Sequence, residues 1–453
     1  MRLDAVYDYK NLARCAGRAA LAILAIACVA TTSGAQQSRI DSASTRLGSL
    51  YRLIAGSSPR AAAARAAARA AAARVSSAKL PPDPQVQFGL MNRTLWSLQP
   101  DPVLGMTQIQ LMQMVPLPGK LGLAGHVAEA QAAAAQSRAD DVRWDVRSRV
   151  AIAFYDLYEA ERSLGVAKTS RSLLQQIAQT AQTMYAVGDG RQPDVLRANV
   201  EVARMSEDII RMEAMRVSSV AQLNASLAQD VVSNDAAAIL PAFPAEIPGL
   251  DTLVSMAEAN RPLLKAGEQD VLATLAAERL AHRELWPDLQ IGVQYGRQSM
   301  PTGTQSMGSL MIGATLPIFA RGRQLRMREE AAAMRAESEA ELAAMRAETR
   351  ARVTELRADY VRARNLSALY RSTILPQAQA SVTSSFTAYR VGEVNLMTLL
   401  DNQMTVNKYS QELFTLEAEE GKTLAELEML VGQTLFDVDV PAAASASSTR
   451  EER

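Results

Sequence analysis

Apolar and polar residues alternate along four short stretches of the chain. Val86, Phe88 and Leu90 alternate with Gln85, Gln87 and Gly89, and Ile109 and Leu111 alternate with Gln108 and Gln110. Later, Leu289, Ile291, Val293 and Tyr295 alternate with Gln290, Gly292 and Gln294, and Leu310, Ile312, Ala314 and Leu316 alternate with Ser309, Met311, Gly313 and Thr315. A period of two predicts strands with one apolar face and one mostly polar face. Residues 92–105 and 297–308, with Pro100, Pro102, Pro301 and Gly303, read as turn-rich loops between the members of each pair.

After each strand pair the period changes to that of a helix. Residues 323–375 hold no Gly or Pro over 53 positions, about 80 Å of helix at 1.5 Å per residue. Residues 126–187 are of similar length, interrupted only by Gly165. Val195, Ala198, Val202, Met205, Ile209 and Met212 step 3-4-3-4-3, and Val353, Leu356, Tyr360, Ala363, Ser367, Tyr370 and Ile374 keep the same beat. Both are coiled-coil seams, with the Met residues as packing. Glu348 with Arg352 reads as a solvated i,i+4 pair.

The two halves share one plan. Pro82-Asp83-Pro84-Gln85-Val86 is echoed by Pro287-Asp288-Leu289-Gln290-Ile291, Val115-Pro116-Leu117 by Leu316-Pro317-Ile318, and Tyr185-Ala186-Val187-Gly188-Asp189 by Tyr389-Arg390-Val391-Gly392-Glu393, at offsets of 201–205 residues. An internal repeat of that length decides architecture before local propensity does. Gly188 and Gly392 stand where a helix must stop with positive φ and a second helix begins, so each half ends in a helical hairpin tip. The chain divides into 1–35, 36–81 with an Ala/Arg-rich helix at 60–74, a first repeat at 82–230, a linker and helix at 231–286, a second repeat at 287–436, and a disordered, Ala/Ser-rich tail at 437–453.

Composition narrows the function. With 48 Lys+Arg against 48 Asp+Glu the chain lacks the basic surplus of a nucleic-acid binder. Arg2, Lys10, Arg14 and Arg18 precede an apolar run at 19–30, and Ser33-Gly34-Ala35 supplies a cleavage site, so residues 1–35 read as an export signal. Cleavage there removes Cys15 and Cys28, the only cysteines. Cys28 follows Ala25-Ile26-Ala27, a weak lipidation box with Ala where Leu is usual. His126 and His282 lack ligand spacing. Neither a catalytic constellation nor a cofactor or metal site is expected.

Four strands cannot close a membrane barrel, whose smallest bacterial forms have eight. Three copies supply twelve, with apolar residues toward lipid and Gln85, Gln87, Gln108, Gln110, Gln290 and Gln294 toward a water-filled lumen. A soluble alternative packs the same four-stranded sheet on helices.

In this order and spacing, the paired Tyr-x-Val-Gly tips, Leu399-Leu400-Asp401 after the second, and 113–120 leaving the second strand make the chain resemble the TolC-like outer-membrane efflux proteins across nearly all of its exported length. The last segment is similar to the heavy-metal branch. The resemblance implies a mainly α protein with a small transmembrane β-barrel part: four strands per protomer and a long coiled-coil α-helical barrel, closed by trimerisation. It implies a homotrimer in outer-membrane lipid that reaches into the periplasm as the passive export duct for small molecules or metal cations. Its partners are then a periplasmic adaptor and an inner-membrane efflux pump of the resistance-nodulation-division type. Val187, Gly188, Asp189, Val391, Gly392 and Glu393 become adaptor contacts. Asp401 matches one acidic ring of the family's periplasmic gate, Thr398 occupies the other, Val394 stands where a gate Arg can occur, and Asp194 and Tyr389 match further gate positions. Protein secretion through the same tunnel, and a non-conducting periplasmic coiled-coil adaptor, are the competing readings.

Overall fold

In the computed structural model, residues 44–437 are described except 94–99, 101–104, 234–236, 245 and 301. The expected export signal, both cysteines, most of the first strand loop and nearly all of the C-terminal tail lie outside the described residues.

In chain order the elements are β1 (Ser44–Arg46), α1 (Leu47–Ser57), α2 (Pro59–Ala78), β2 (Gln85–Met91), β3 (Met106–Val115), α3 (Lys120–Ala186), α4 (Gln192–Leu227), β4 (Ala237–Ile239), α5 (Leu250–Asn260), α6 (Pro262–Arg283), β5 (Leu289–Met300), β6 (Gly303–Ala314), α7 (Gln324–Leu369), a π-helical turn (Tyr370–Ile374), α8 (Leu375–Arg390) and α9 (Leu396–Val431). The repeat holds to the residue: α3 runs for 67 residues, and the helical run from 324 to 390 has the same length. The returning arms, α4 and α9, have 36 residues each.

Strands β2-β3-β5-β6 form one antiparallel sheet in that order. Among the described helices none packs on either face, unlike the sheet of the soluble alternative: Val86, Phe88, Val293, Leu310 and Ile312 are all more than half exposed. The second hairpin is longer than its sequence suggests. The expected loop at 297–308 is instead mostly strand, with β5 and β6 paired out to Met300 and Gly303. Pro301 and Gly303 signal a turn of a few residues only, and Gly303 takes it at φ +137. Strands β1 and β4 pair in parallel, joining residues almost two hundred apart; three-residue strands carry too little alternation to be read from sequence.

The helices pack through their seams. Ala198, Met205 and Ile209 are buried, with Val195, Val202 and Met212 packed beside them, against Leu174, Ile177 and Ala181 of α3 and Tyr389, Leu396 and Leu399 of the second hairpin. A second cluster joins Leu253 and Ala257 of α5 to Val353 and Leu356 of α7 and Leu427 and Val431 of α9. Gly165 does not interrupt α3. On α7 the seam runs through Val353, Leu356, Tyr360, Ala363 and Ser367, then skips Tyr370 and Ile374 and resumes at Leu375. The π turn inserts one residue into the heptad there. It also accommodates Pro376, which has no N–H to give and whose ring clashes with the carbonyl four residues back in a regular α-helix. Arg352 pairs with Glu355 at 2.8 Å and with Glu426 of α9 at 2.6 Å, not with Glu348, because the seam points it toward α9. No described helix is long and apolar enough to cross a membrane.

Candidate functional site

The sheet separates its two chemistries as the alternation requires. Register places Gln87 opposite Gln110, Gln110 opposite Gln294, Gln85 opposite Met112 and Gln290 opposite Met114, so all six glutamines share one face. Residues directly opposite in a ladder point the same way. Gln294 donates its amide N–H to the side-chain oxygen of Gln108 across the β3–β5 ladder. Gly89, opposite Gln108, leaves room for that side chain: a Cβ there would lie 2.9 Å from it. The other face carries Val86, Phe88, Leu90, Ile109, Leu111, Leu289, Ile291, Val293, Tyr295, Leu310 and Ile312, all exposed.

β2 and β6 are the outer strands of the sheet. Three successive antiparallel pairings make them run in opposite directions, so β6 of one copy can pair antiparallel with β2 of another.

At the far end of the helices the two tips are built alike. Gly188 (φ +90) and Gly392 (φ +77) adopt the left-handed conformation that a side chain disfavours. Met184 O accepts from both Asp189 N and Gly190 N at 2.9 Å, and Ala388 O accepts from Glu393 N at 3.0 Å, closing the ends of α3 and α8. Asn395 then caps α9, its Oδ1 accepting from Thr398 N (2.9 Å) and from the Thr398 hydroxyl (3.0 Å). Val187 and Val391 stand about two-thirds exposed at the apex of the two tips. Gly188, Asp189, Gly392 and Glu393 lie beside them on the tip surface, Asp189 and Glu393 carrying the acid of each motif.

The expected gate residues divide. Tyr389 is buried in the hairpin seam while its repeat partner Tyr185 is nearly half exposed. Burial raises the Tyr389 phenol above its ordinary range, and the Asp194 carboxylate, in the first turn of α4, adds to the rise, so these two residues of different hairpins are neighbours. Thr398 serves as the capped first-turn residue of α9. Asp401 is exposed and makes no ion pair among the described residues. Nearby, Asn402 donates to the Ser385 hydroxyl at 2.6 Å within the second hairpin, and Ser170 of the first hairpin donates to Asn407 of the second at 3.2 Å.

Two polar clusters escape sequence reasoning. On α9, Glu417 and Glu420 are buried. Tyr158 of α3 donates to Glu417 at 2.6 Å, and Arg371 of the π turn pairs with the same carboxylate. Burial pushes Glu420 up to about 7, opposed chiefly by Arg364 and reinforced by Glu417. At the junction of sheet and helices, Lys120 is buried, and its Nζ reaches Asp288 at 2.8 Å, Glu284 at 3.6 Å and donates to Trp286 O at 3.0 Å. The repeated Pro-Asp before β5 was the available signal for the second cluster; the first needs a partner 259 residues away and had none.

Comparison with known proteins places this geometry. The family model described as outer membrane efflux protein matches residues 50–229 and 253–433. The cobalt-zinc-cadmium resistance protein CzcC of Cupriavidus metallidurans is 22% identical over 297 residues, covering 64% of this chain and 69% of CzcC. Among solved structures, the outer membrane protein VceC of Vibrio cholerae superposes with TM-score 0.72 at 15% identity, over 86% of this chain and 97% of that one. CusC, described for conformational changes accompanying transmembrane channel formation, superposes with TM-score 0.72 at 14% identity, over 89% and 96%. At such identities the structural likeness establishes the fold.

Proposed function

Because the chain belongs to the outer membrane efflux protein family, we propose that it is the outer-membrane duct of a tripartite efflux system. In this reading three copies close a twelve-stranded barrel, and their helices continue it as a tunnel into the periplasm. The single observation that carries the reading is the sheet: six glutamines on one face, exposed apolar residues on the other, and outer strands of opposite direction. In lipid an open sheet edge leaves backbone groups unpaired at a cost of several kcal/mol each, so the sheet must close on other copies. A lumen of amide side chains passes polar solutes without binding them tightly. Energy comes from an inner-membrane pump of the resistance-nodulation-division type, and the duct itself does no chemistry.

The exposed valines at 187 and 391, flanked by Asp189 and Glu393, suit docking of a periplasmic adaptor's helical hairpins at both tips. Near the tips, Asp194, Tyr389, Thr398 and Asp401 form the gate region. In this region Asn402–Ser385 and Ser170–Asn407 supply neutral hydrogen-bond links, while Asp401 itself makes no ion pair among the described residues. Likeness to CzcC, a cobalt-zinc-cadmium resistance protein, supports metal cations as cargo within the broader class of small solutes.

Disulfide trapping tests the closure. Gln87→Cys on β2, combined in turn with Met307→Cys, Ser309→Cys and Met311→Cys on the same face of β6, is expected to yield one pairing that oxidises to a covalent species ending at three subunits. A ladder that stops at two, or that continues without limit, contradicts the trimer.

A further inference from the structure

Resting on the reading that the sheet lies in a bilayer, we propose that its helix-side rim is a lipid-binding collar. Trp286, Ile318 and Phe319 seat in the interface of the periplasmic leaflet while Arg283, Arg321 and Arg323 hold phosphate-bearing, anionic lipid headgroups.

The first observation is a deficit of height. On β5 the apolar face runs from Leu289 to Tyr295 and is followed by Arg297. Six residue steps span about 20 Å along the strand; a tilt of about 40° leaves roughly 15 Å along the membrane normal, against the apolar band of about 25 Å that such barrels present. The sheet face by itself is too short.

The second observation is what lies at its helix-side end. Val115, Leu289 and Ala314 are level in the register, so the segments before β5 and after β6 emerge at one rim. There Trp286 is 59% exposed, and Ile318 and Phe319 are each 81% exposed. These side chains are displayed by fixed backbone. Trp286 donates its N–H to Arg283 O at 3.0 Å, and its carbonyl accepts from buried Lys120. Residues 316–323 form a hydrogen-bonded turn: Ala320 N donates to Pro317 O at 3.1 Å, and Gly322 N and Arg323 N both donate to Phe319 O at 3.0 and 3.1 Å. An ordered turn that holds Ile318 and Phe319 outward extends the apolar band of the sheet beyond the strand ends.

The third observation is charge. Arg283, Arg321 and Arg323 are exposed beside these side chains in sequence and make no ion pair among the described residues. Carboxylates elsewhere on the helices collect arginines readily, as Glu426 does Arg352 and Glu268 does Arg346. Aromatic side chains flanked by unpaired arginines match a bilayer interface, where rings sit at headgroup level and guanidinium groups bind phosphate in bidentate fashion.

The test uses the full chain in phospholipid vesicles. With Trp96→Phe and Trp144→Phe, Trp286 is the remaining indole; its fluorescence is expected to be quenched most by lipids brominated near the headgroup and least by those brominated near the chain end. Arg321→Gln with Arg323→Gln is expected to lower the preference for phosphatidylglycerol over phosphatidylcholine about fivefold per arginine at low salt. Unquenched Trp286 in protein that floats with the vesicles overturns the collar and assigns the rim to contact with another copy. An unchanged lipid preference overturns the headgroup site. Failure to float with vesicles at all sinks the membrane reading itself, and the collar with it.

Discussion

Glu420 is a single buried carboxyl through which the stability of the helical part is expected to depend on pH. Its pKa is pushed up to about 7 by burial, above the ordinary value of 4.5. Between those values the folded state holds a proton that the unfolded chain has released, so stability is full below about pH 4.5 and declines as pH rises through 7. Glu420→Gln is therefore expected to flatten the fall of the melting temperature between pH 5 and 8 and to raise it at pH 8, as followed by circular dichroism. Beside it, Gly421 faces Tyr155, and a Cβ there would collide with the buried ring. Gly421→Ala should destabilise the protein by about 1–3 kcal/mol, the cost of overpacking a filled core, measured by denaturant unfolding. Asp401, exposed and without an ion pair among the described residues, belongs to the gate region of the proposed channel, where three copies would set it in an acidic ring that concentrates cations at the mouth. Asp401→Asn is expected to lower cation preference and block by multivalent metals in single-channel recordings, and unchanged selectivity would remove Asp401 from the permeation path. At this scale the sequence is legible only where a periodicity fixes direction. The glutamines were placed on one face because strand side chains alternate, whereas Glu417 and Glu420 were silent because their meaning depends on groups of other helices, Tyr158 and Arg371 for Glu417 and Arg364 for Glu420.

Among the elements, the π turn at Tyr370–Ile374 has a cause and a consequence that can be separated. Pro376 requires the wider turn, and the turn shifts the seam from Ile374 to Leu375. Deleting Ser372 restores an uninterrupted heptad but forces the proline ring into α geometry, which costs about 3 kcal/mol. Deleting Ser372 together with Pro376→Ala removes both constraints and should recover most of that loss. Comparing the melting of the two variants checks this; equal destabilisation would mean that the proline is not what holds the turn open. The heptads and the glycine tips were readable from spacing, while the Ala/Arg-rich helix was suggested at 60–74 by composition alone and spans Pro59–Ala78. The heptad slip was not, since a one-residue insertion leaves the residue types on either side unchanged. Strand β5 was read short for a related reason: Arg297, Gln298 and Ser299 break the apolar alternation, yet the backbone ladder continues through them to Met300.

For the whole molecule, the internal repeat carried most of the architecture. Two copies of strand, strand, long arm, tip and returning arm, with arms of equal length in each half, leave a sheet with outer strands of opposite direction and an uncovered apolar face. No described element of the chain covers either, and this incompleteness is the strongest physical argument for assembly. The even charge balance describes no surface: arginines and glutamates pair across helices, as Arg346 does with Glu268 and Arg350 with Glu258 at 2.7 and 2.8 Å, while the four-stranded sheet carries almost no charge. The central claim is that copies of this chain enclose one continuous aqueous path. Conductance of the detergent-extracted oligomer in a planar bilayer tests it most directly. The account predicts unitary, cation-preferring steps that scale with bulk salt and disappear when the oligomer is dissociated by heating, whereas stable insertion of the oligomer with no conductance under any gate-region substitution, Asp401→Asn and Asn402→Ala included, would contradict it.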